Sequence, residues 1–126
     1  MAKKYLLIAE GDEEMRQQLS NELGDLTQMI VVSASDGIQA FQKARNQKFD
    51  VILSEFKLNK ITDKQIVDAY RETGHNELSP ILIYTENIDE AKTLTRDIKN
   101  IDYISKPADM EKLSAKIIEL SKADPG

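Results

Sequence analysis

The sequence predicts an α/β fold, a doubly wound sheet of five parallel strands with helices on both faces. Three observations carry that expectation. Apolar runs of strand length alternate with stretches of helical periodicity along the whole chain. Several of these runs are continuously apolar, as strands covered on both faces are. Capping and turn residues fall at the boundaries between the two kinds of segment.

Taken in order, "YLLIA" (5–9) opens the chain as a strand, followed by a helical stripe of Met15, Leu19, Leu23 and Leu26. "MIVV" (29–32) is the second strand. Asp36 and Gly37 then introduce a helix whose apolar face is Ala40, Phe41 and Ala44. "VIL" (51–53) is the third strand, and Asp63 is placed to cap a helix carrying Ile66, Ala69, Tyr70 and Thr73. Gly74 stands where a helix-ending glycine is expected. "ILIY" (81–84) is the fourth strand, with Asp89 as cap for a stripe of Ala91, Leu94 and Ile98. The short "DYI" (102–104) is the fifth. Pro107 then falls in or just before the first turn of a helix built on Met110, Leu113, Ile117 and Leu120. These stripes are core packing and carry no functional weight.

The 126 residues form one expected domain, with its core at about 4–120 and 121–126 as a frayed tail or the cut end of a longer chain. Hydrophobic residues make up 40% and charged residues 31%, which suits a soluble globular protein. There is no cysteine, so disulfides, thiol nucleophiles and thiolate metal sites are excluded. A net charge of -5 argues against nucleic-acid binding by this domain, since that binding neutralises phosphates. No run is long enough for a signal peptide or a membrane span, and a cytoplasmic location is expected. The lone His75, in a turn-rich stretch, reads as a solvated loop residue.

Chemistry is expected at the carboxyl ends of the strands, where open α/β sheets place their ligands. There the first strand delivers Glu10, Gly11 and Asp12, the third Glu55, the fourth Thr85 and Glu86, and the fifth Lys106 and Pro107. Carboxylates suit a hard cation, a hydroxyl can donate to an oxyanion, and the lysine adds positive charge. "VILSEFKLNK" poses the sharpest question, because a buried strand ends there in the charged Glu55.

"SASDGIQAFQKARNQKFDVIL", "SPILIYT" and "DYISKP" together resemble the receiver domains of bacterial two-component response regulators, from about Lys4 to Leu120. The resemblance implies the flavodoxin-like (βα)5 fold with strand order 2-1-3-4-5. It implies a Mg²⁺-binding acidic pair after the first strand and an Asp ending the third strand that accepts a phosphoryl group. By position, Thr85 matches the switch hydroxyl, Tyr103 the aromatic that turns inward on activation, and Lys106 the family's lysine. Pro107 is the candidate for a cis peptide, and Glu10 matches the first acid of the pair.

Two positions depart from that pattern. Gly11 stands where the direct metal ligand is expected, and Glu55 where the phosphorylated Asp is expected. Glu86 further crowds a position that is normally small. The resulting expectation is a pseudo-receiver, a signalling and protein-interaction module that does not cycle through aspartyl phosphate. In it Glu55 reaches toward Lys106 and imitates part of the phosphorylated state. No cofactor is expected, with Mg²⁺ binding weak or absent. The partner is expected to be a protein or a second copy, docked on the face of the fourth helix, fifth strand and fifth helix. Lys92, Arg96, Lys99, Asn100, Tyr103, Lys112 and Lys116 are its exposed candidates.

Other readings are a phosphorylatable receiver altered at its site, natively or by an engineered Asp→Glu, and the receiver part of a longer regulator with an output domain. Enzyme readings are the weakest. Glu10-Gly11-Asp12 is similar to the Asp-x-Asp of haloacid-dehalogenase-like phosphatases but lacks the nucleophilic Asp. An FMN site would need hydroxyls and amides where "GDEEM" offers acids.

Overall fold

A computed structural model describes residues 3–122. The elements run β1 (Tyr5–Ala9), α1 (Glu13–Thr27), β2 (Ile30–Ala34), α2 (Gly37–Asn46), β3 (Val51–Glu55), α3 (Lys64–Arg71), β4 (Ile81–Thr85), α4 (Ile88–Thr95), β5 (Ile101–Ser105) and α5 (Met110–Ser121). All strand pairs are parallel, in the order β2-β1-β3-β4-β5. The order reverses between β1 and β3, so the crevice beyond their carboxyl ends is where a ligand site is expected.

Two apolar layers hold the sheet. Leu7, Ile52, Ile81 and Ile83 pack with Ala40, Phe49, Phe56, Ile66 and Tyr70. On the other face Leu6, Ile8, Leu53 and Leu82 pack with Leu19, Leu23, Leu113 and Ile117. Alternate residues of each central strand serve opposite layers, which is why their sequences read as continuously apolar. Each fully buried side chain of this kind is worth about 1.5–3 kcal/mol.

Several local expectations are corrected. β2 lies one to two residues later than "MIVV" suggests, with Met29 outside the strand and Ser33 and Ala34 inside it. Leu26 (46% exposed) and Leu94 (39%) lie outside the core despite their helical spacing, and Ile98 falls beyond the end of α4. Asp36 does cap α2, accepting from the Gln39 amide. Asp63 precedes α3 but makes no capping bond; its φ of 56° turns it away, and it pairs with Lys57 at 2.9 Å. Asn87, not Asp89, caps α4 by accepting from the Glu90 amide, which leaves Asp89 inside the first turn. Gly74 adopts φ +33°, but two residues beyond the Glu72 cap of α3. The expected frayed tail lies largely outside the described residues; of it, Ser121 closes α5 and Lys122 caps it.

At the amino end of the sheet Asp50 accepts from the Tyr5 amide at 2.8 Å, and two further side chains make most of the remaining ties. Buried Asn76 accepts from the Phe49 amide (2.8 Å) and Ser79 hydroxyl (2.9 Å), and donates to the carbonyls of Ala44 (2.6 Å) and Gln47 (2.9 Å). Arg71 donates to four more carbonyls, those of Asn76, Ser79, Lys99 and Asn100, at 2.7–3.2 Å.

Candidate functional site at the carboxyl ends of the strands

At the opposite end, β1 is followed by Glu10, β3 ends in Glu55 and β5 is followed by Lys106. Parallel pairing brings their tips together across the switch point. Lys106 Nζ donates to Glu55 Oε2 at 2.6 Å and to Glu10 Oε1 at 2.9 Å. Glu10 Oε2 accepts from the Asp12 amide and Glu55 Oε1 from the Gly11 amide, each at 3.1 Å. Each of the four carboxylate oxygens therefore has a partner.

The triad is largely out of water, with side-chain exposures of 2% for Glu10, 15% for Lys106 and 20% for Glu55. Burial raises the Glu10 carboxyl above its ordinary value, opposed by its hydrogen bonds to Lys106 and the Asp12 amide and reinforced by the Glu55 charge. Burial by itself would lower Lys106, but hydrogen bonds to Glu10 and Glu55 more than offset it and raise the ammonium. The Lys106 ammonium also lies 5.1 Å from the Tyr84 ring centroid, and the Tyr84 hydroxyl accepts from the Ala108 amide at 3.1 Å. The Lys106–Pro107 peptide is cis.

The other expected residues are placed differently. Asp12 is exposed and caps α1, accepting from the Met15 amide at 3.1 Å, so its side chain serves the helix start. A Cβ at Gly11 would stand 3.4 Å from Glu55 Oε1. Thr85 is buried, and its hydroxyl oxygen accepts from the Asn87 amide at 3.3 Å. Tyr103 and Lys116 are half-buried rather than exposed; the Tyr103 hydroxyl bonds Thr95, and Lys116 pairs with Asp102 at 2.8 Å. Glu86 is exposed at the rim, where it lines both openings of the mouth. His75 is an exposed loop residue.

Three contributors were not anticipated. Arg16 donates to the Glu10 carbonyl at 3.0 Å. Lys57 bridges Asp63 (2.9 Å) and Glu90 (2.7 Å), joining the loop after β3 to α4. Tyr84 lies beneath Lys106. Lys57 follows Glu55 by two residues, the one sequence signal that pointed its way; nothing local marks Arg16 or Tyr84.

Two openings meet at the triad. One, of about 350 Å³, runs between Lys57, Asn87 and Glu90; the other, of about 600 Å³, runs between Asp12, Met15 and Pro107. Among the described residues no three acidic or histidine side chains are grouped to hold a metal ion. A hard divalent cation needs several free oxygens, and here Lys106 occupies the place between the two carboxylates. The residues present do not fit such an ion.

Comparison with known proteins agrees with this architecture. The chain matches the response regulator receiver domain over residues 6–118, and it belongs to that family. It is 27% identical over 121 residues to hybrid signal transduction histidine kinase D of Dictyostelium discoideum, covering 94% of this chain and 8% of that protein. The structure of chemotaxis protein CheY4 of Vibrio cholerae aligns with TM-score 0.86 at 28% identity, over 94% of this chain and 99% of that one. The receiver domain of sensor histidine kinase PA1611 from Pseudomonas aeruginosa, which holds a magnesium ion in its active site cleft, aligns with TM-score 0.81. At 22% identity, over 97% of this chain and 100% of that one, this last likeness is one of fold. The chain spans between 8% and 57% of the length of the curated relatives it matches. It is thus a receiver domain of two-component signalling, and among the described residues no helix is long and apolar enough to cross a membrane.

Proposed function

We propose that this receiver signals without aspartyl phosphorylation, as a pseudo-receiver whose Glu55 stands at the phosphoacceptor position and stands in for part of the phosphorylated state. One observation carries the reading: Glu55 is already joined to Lys106 at 2.6 Å and to the Gly11 amide at 3.1 Å, with Glu10 sharing the same ammonium. In-line phosphoryl transfer needs a positioned nucleophile and a metal to offset developing charge. Glu55 reaches about 1.5 Å farther than an aspartate, one C–C bond, and both its oxygens are engaged. Its carboxylate supplies one negative charge, against nearly two for a phosphoryl group. The imitation is therefore of position more than of charge.

Mg²⁺ binds weakly at most in this reading, because Gly11 supplies no carboxylate and the acids present are committed to Lys106. The domain acts through a protein partner or a second copy on the α4–β5–α5 face and does not bind nucleic acid. A groove of about 430 Å³ there, lined by Ile88, Tyr103, Ile104, Lys112 and Lys116, supports that choice.

The test is incubation with acetyl phosphate and Mg²⁺ followed by intact-mass and peptide mass spectrometry. The expected result is an unchanged mass for the native chain and a hydroxylamine-labile adduct for the double variant Gly11→Asp/Glu55→Asp. A phosphoryl adduct on Glu55 or Asp12 of the native chain overturns the reading in favour of a phosphorylatable receiver.

A further inference from the structure

Tyr103 sits on β5 between the core and the groove that separates α4 from α5. Its ring packs against the layer containing Ile83 and Ala91, and the Lys92 ammonium lies 5.7 Å from its centroid. Its hydroxyl is hydrogen-bonded to Thr95 Oγ1, on the last residue of α4. Thr95 is fully buried, and its own hydroxyl proton is donated to the Ala91 carbonyl at 2.7 Å. A threonine hydroxyl has only one proton. The proton between the two oxygens therefore belongs to Tyr103, and the chain runs in one direction from Tyr103 to Thr95 to Ala91. Hydrogen bonds aligned in this way strengthen one another. The Thr85 hydroxyl oxygen accepts from the Asn87 amide and is not bonded to Tyr103, whose hydroxyl goes to Thr95.

We infer that Thr95 is the positioning residue for Tyr103: the last turn of α4, rather than the Glu55–Lys106 pocket, decides where the ring stands and so sets one wall of the α4–α5 groove. This goes beyond the proposed function and fails separately from it, since the acetyl phosphate result does not bear on Tyr103. Signals would then enter the groove from whatever moves the end of α4, including a partner seated on that helix. The imitation at Glu55 then reaches that face by a route other than the Tyr103 ring, and losing the charge at Glu55 leaves the ring in place.

Tyrosine nitration by tetranitromethane, quantified by peptide mass spectrometry with Tyr5 as internal reference, tests this. Thr95→Val keeps the shape and removes the acceptor. It is expected to raise the Tyr103 rate about fivefold, the population change a hydrogen bond of ordinary strength supplies. Thr95→Ser, which keeps the hydroxyl, is expected to stay within about twofold of the native chain, and Glu55→Ala to leave the rate unchanged. As a second measurement on a variant that leaves α4 intact, Tyr103→Phe is expected to shift the amide resonances of Ala91 and Thr95 but not those of Glu55 and Lys106. An unchanged Tyr103 rate in Thr95→Val, an equal rise in Glu55→Ala, or shifts reaching Lys106 in Tyr103→Phe would overturn the inference.

Discussion

The two ends of the sheet are fastened by different chemistry. At the amino end Asn76 and Arg71 together make eight hydrogen bonds to uncharged partners, seven of them backbone groups and one the Ser79 hydroxyl. At the carboxyl end one ammonium is shared between two carboxylates. The Asn76 bonds involve no titratable group, and Arg71, whose guanidinium burial lowers to about 10, keeps its charge and its four bonds up to that alkaline range. The carboxyl end holds two acids against one base, so its stability depends on protonation and on what approaches it. In this receiver the amino end is tied mainly through backbone hydrogen bonds, and the carboxyl end through an ion triad.

Asn76→Ala tests the amino end and has the largest expected effect. It strands the Phe49 amide and the Ala44 and Gln47 carbonyls, and should cost about 4 kcal/mol in urea unfolding, with little dependence on pH. A cost below that of the next variant would remove the contrast.

Lys106→Met tests the carboxyl end. It leaves Glu10 and Glu55 facing each other without their cation, at about 3 kcal/mol near neutral pH. The sign of its pH dependence follows from Glu10. A carboxyl raised above its ordinary value contributes stability that is present in acid and lost as pH rises through the raised value. Without Lys106 that loss deepens, so the deficit should be small below the ordinary carboxyl value of 4.5 and grow toward neutrality. In the native chain the raised Lys106 should hold its contribution across neutral pH and lose it only above 10.5. Unfolding midpoints across pH 4–11, the range these values bracket, would check both.

Gly37→Ala sharpens the comparison sterically. A Cβ at Gly37 would meet the Ile61 carbonyl oxygen at 2.2 Å, where the β3–α3 loop lies against the start of α2. Overpacking of this kind costs about 2 kcal/mol and should shift amide resonances from Asn59 to Asp63. The smallest effect is expected from Lys57→Met. Its ion pairs with Asp63 and Glu90 are on the surface, where such pairs contribute little. The unfolding midpoint should not move, although resonances at the mouth should.

The sequence made the carboxyl end legible and left the amino end unread. Glu10, Glu55 and Lys106 each follow or close an apolar run, so the strand pattern alone brought them to one place. Asn76 and Arg71 lie in and beside a polar, turn-rich stretch with no periodicity, and their burial comes from contacts with the starts of β3, β4 and β5. The cap of α4 was misplaced because "TENIDE" offers several side-chain acceptors in a row, and the choice of Asn87 depends on β4 ending at Thr85. Leu26 and Leu94 fit helical spacing but fall where no neighbouring element covers them. Against the pattern the sequence resemblance implies, Gly11 and Glu55 read as departures. That their backbone and side chain bond to each other follows from β1 and β3 ending side by side, which local sequence does not encode.

The sharing of Lys106 has one more consequence. Two carboxylates and one ammonium leave the triad with a residual charge of about −1, while each of its four acidic oxygens already has a protein partner. On the proposed reading the triad attracts positive ions without itself offering them a coordination sphere. Its response to the surrounding solution should follow ionic strength, through screening over about 8 Å at physiological salt, and be nearly blind to which cation supplies it.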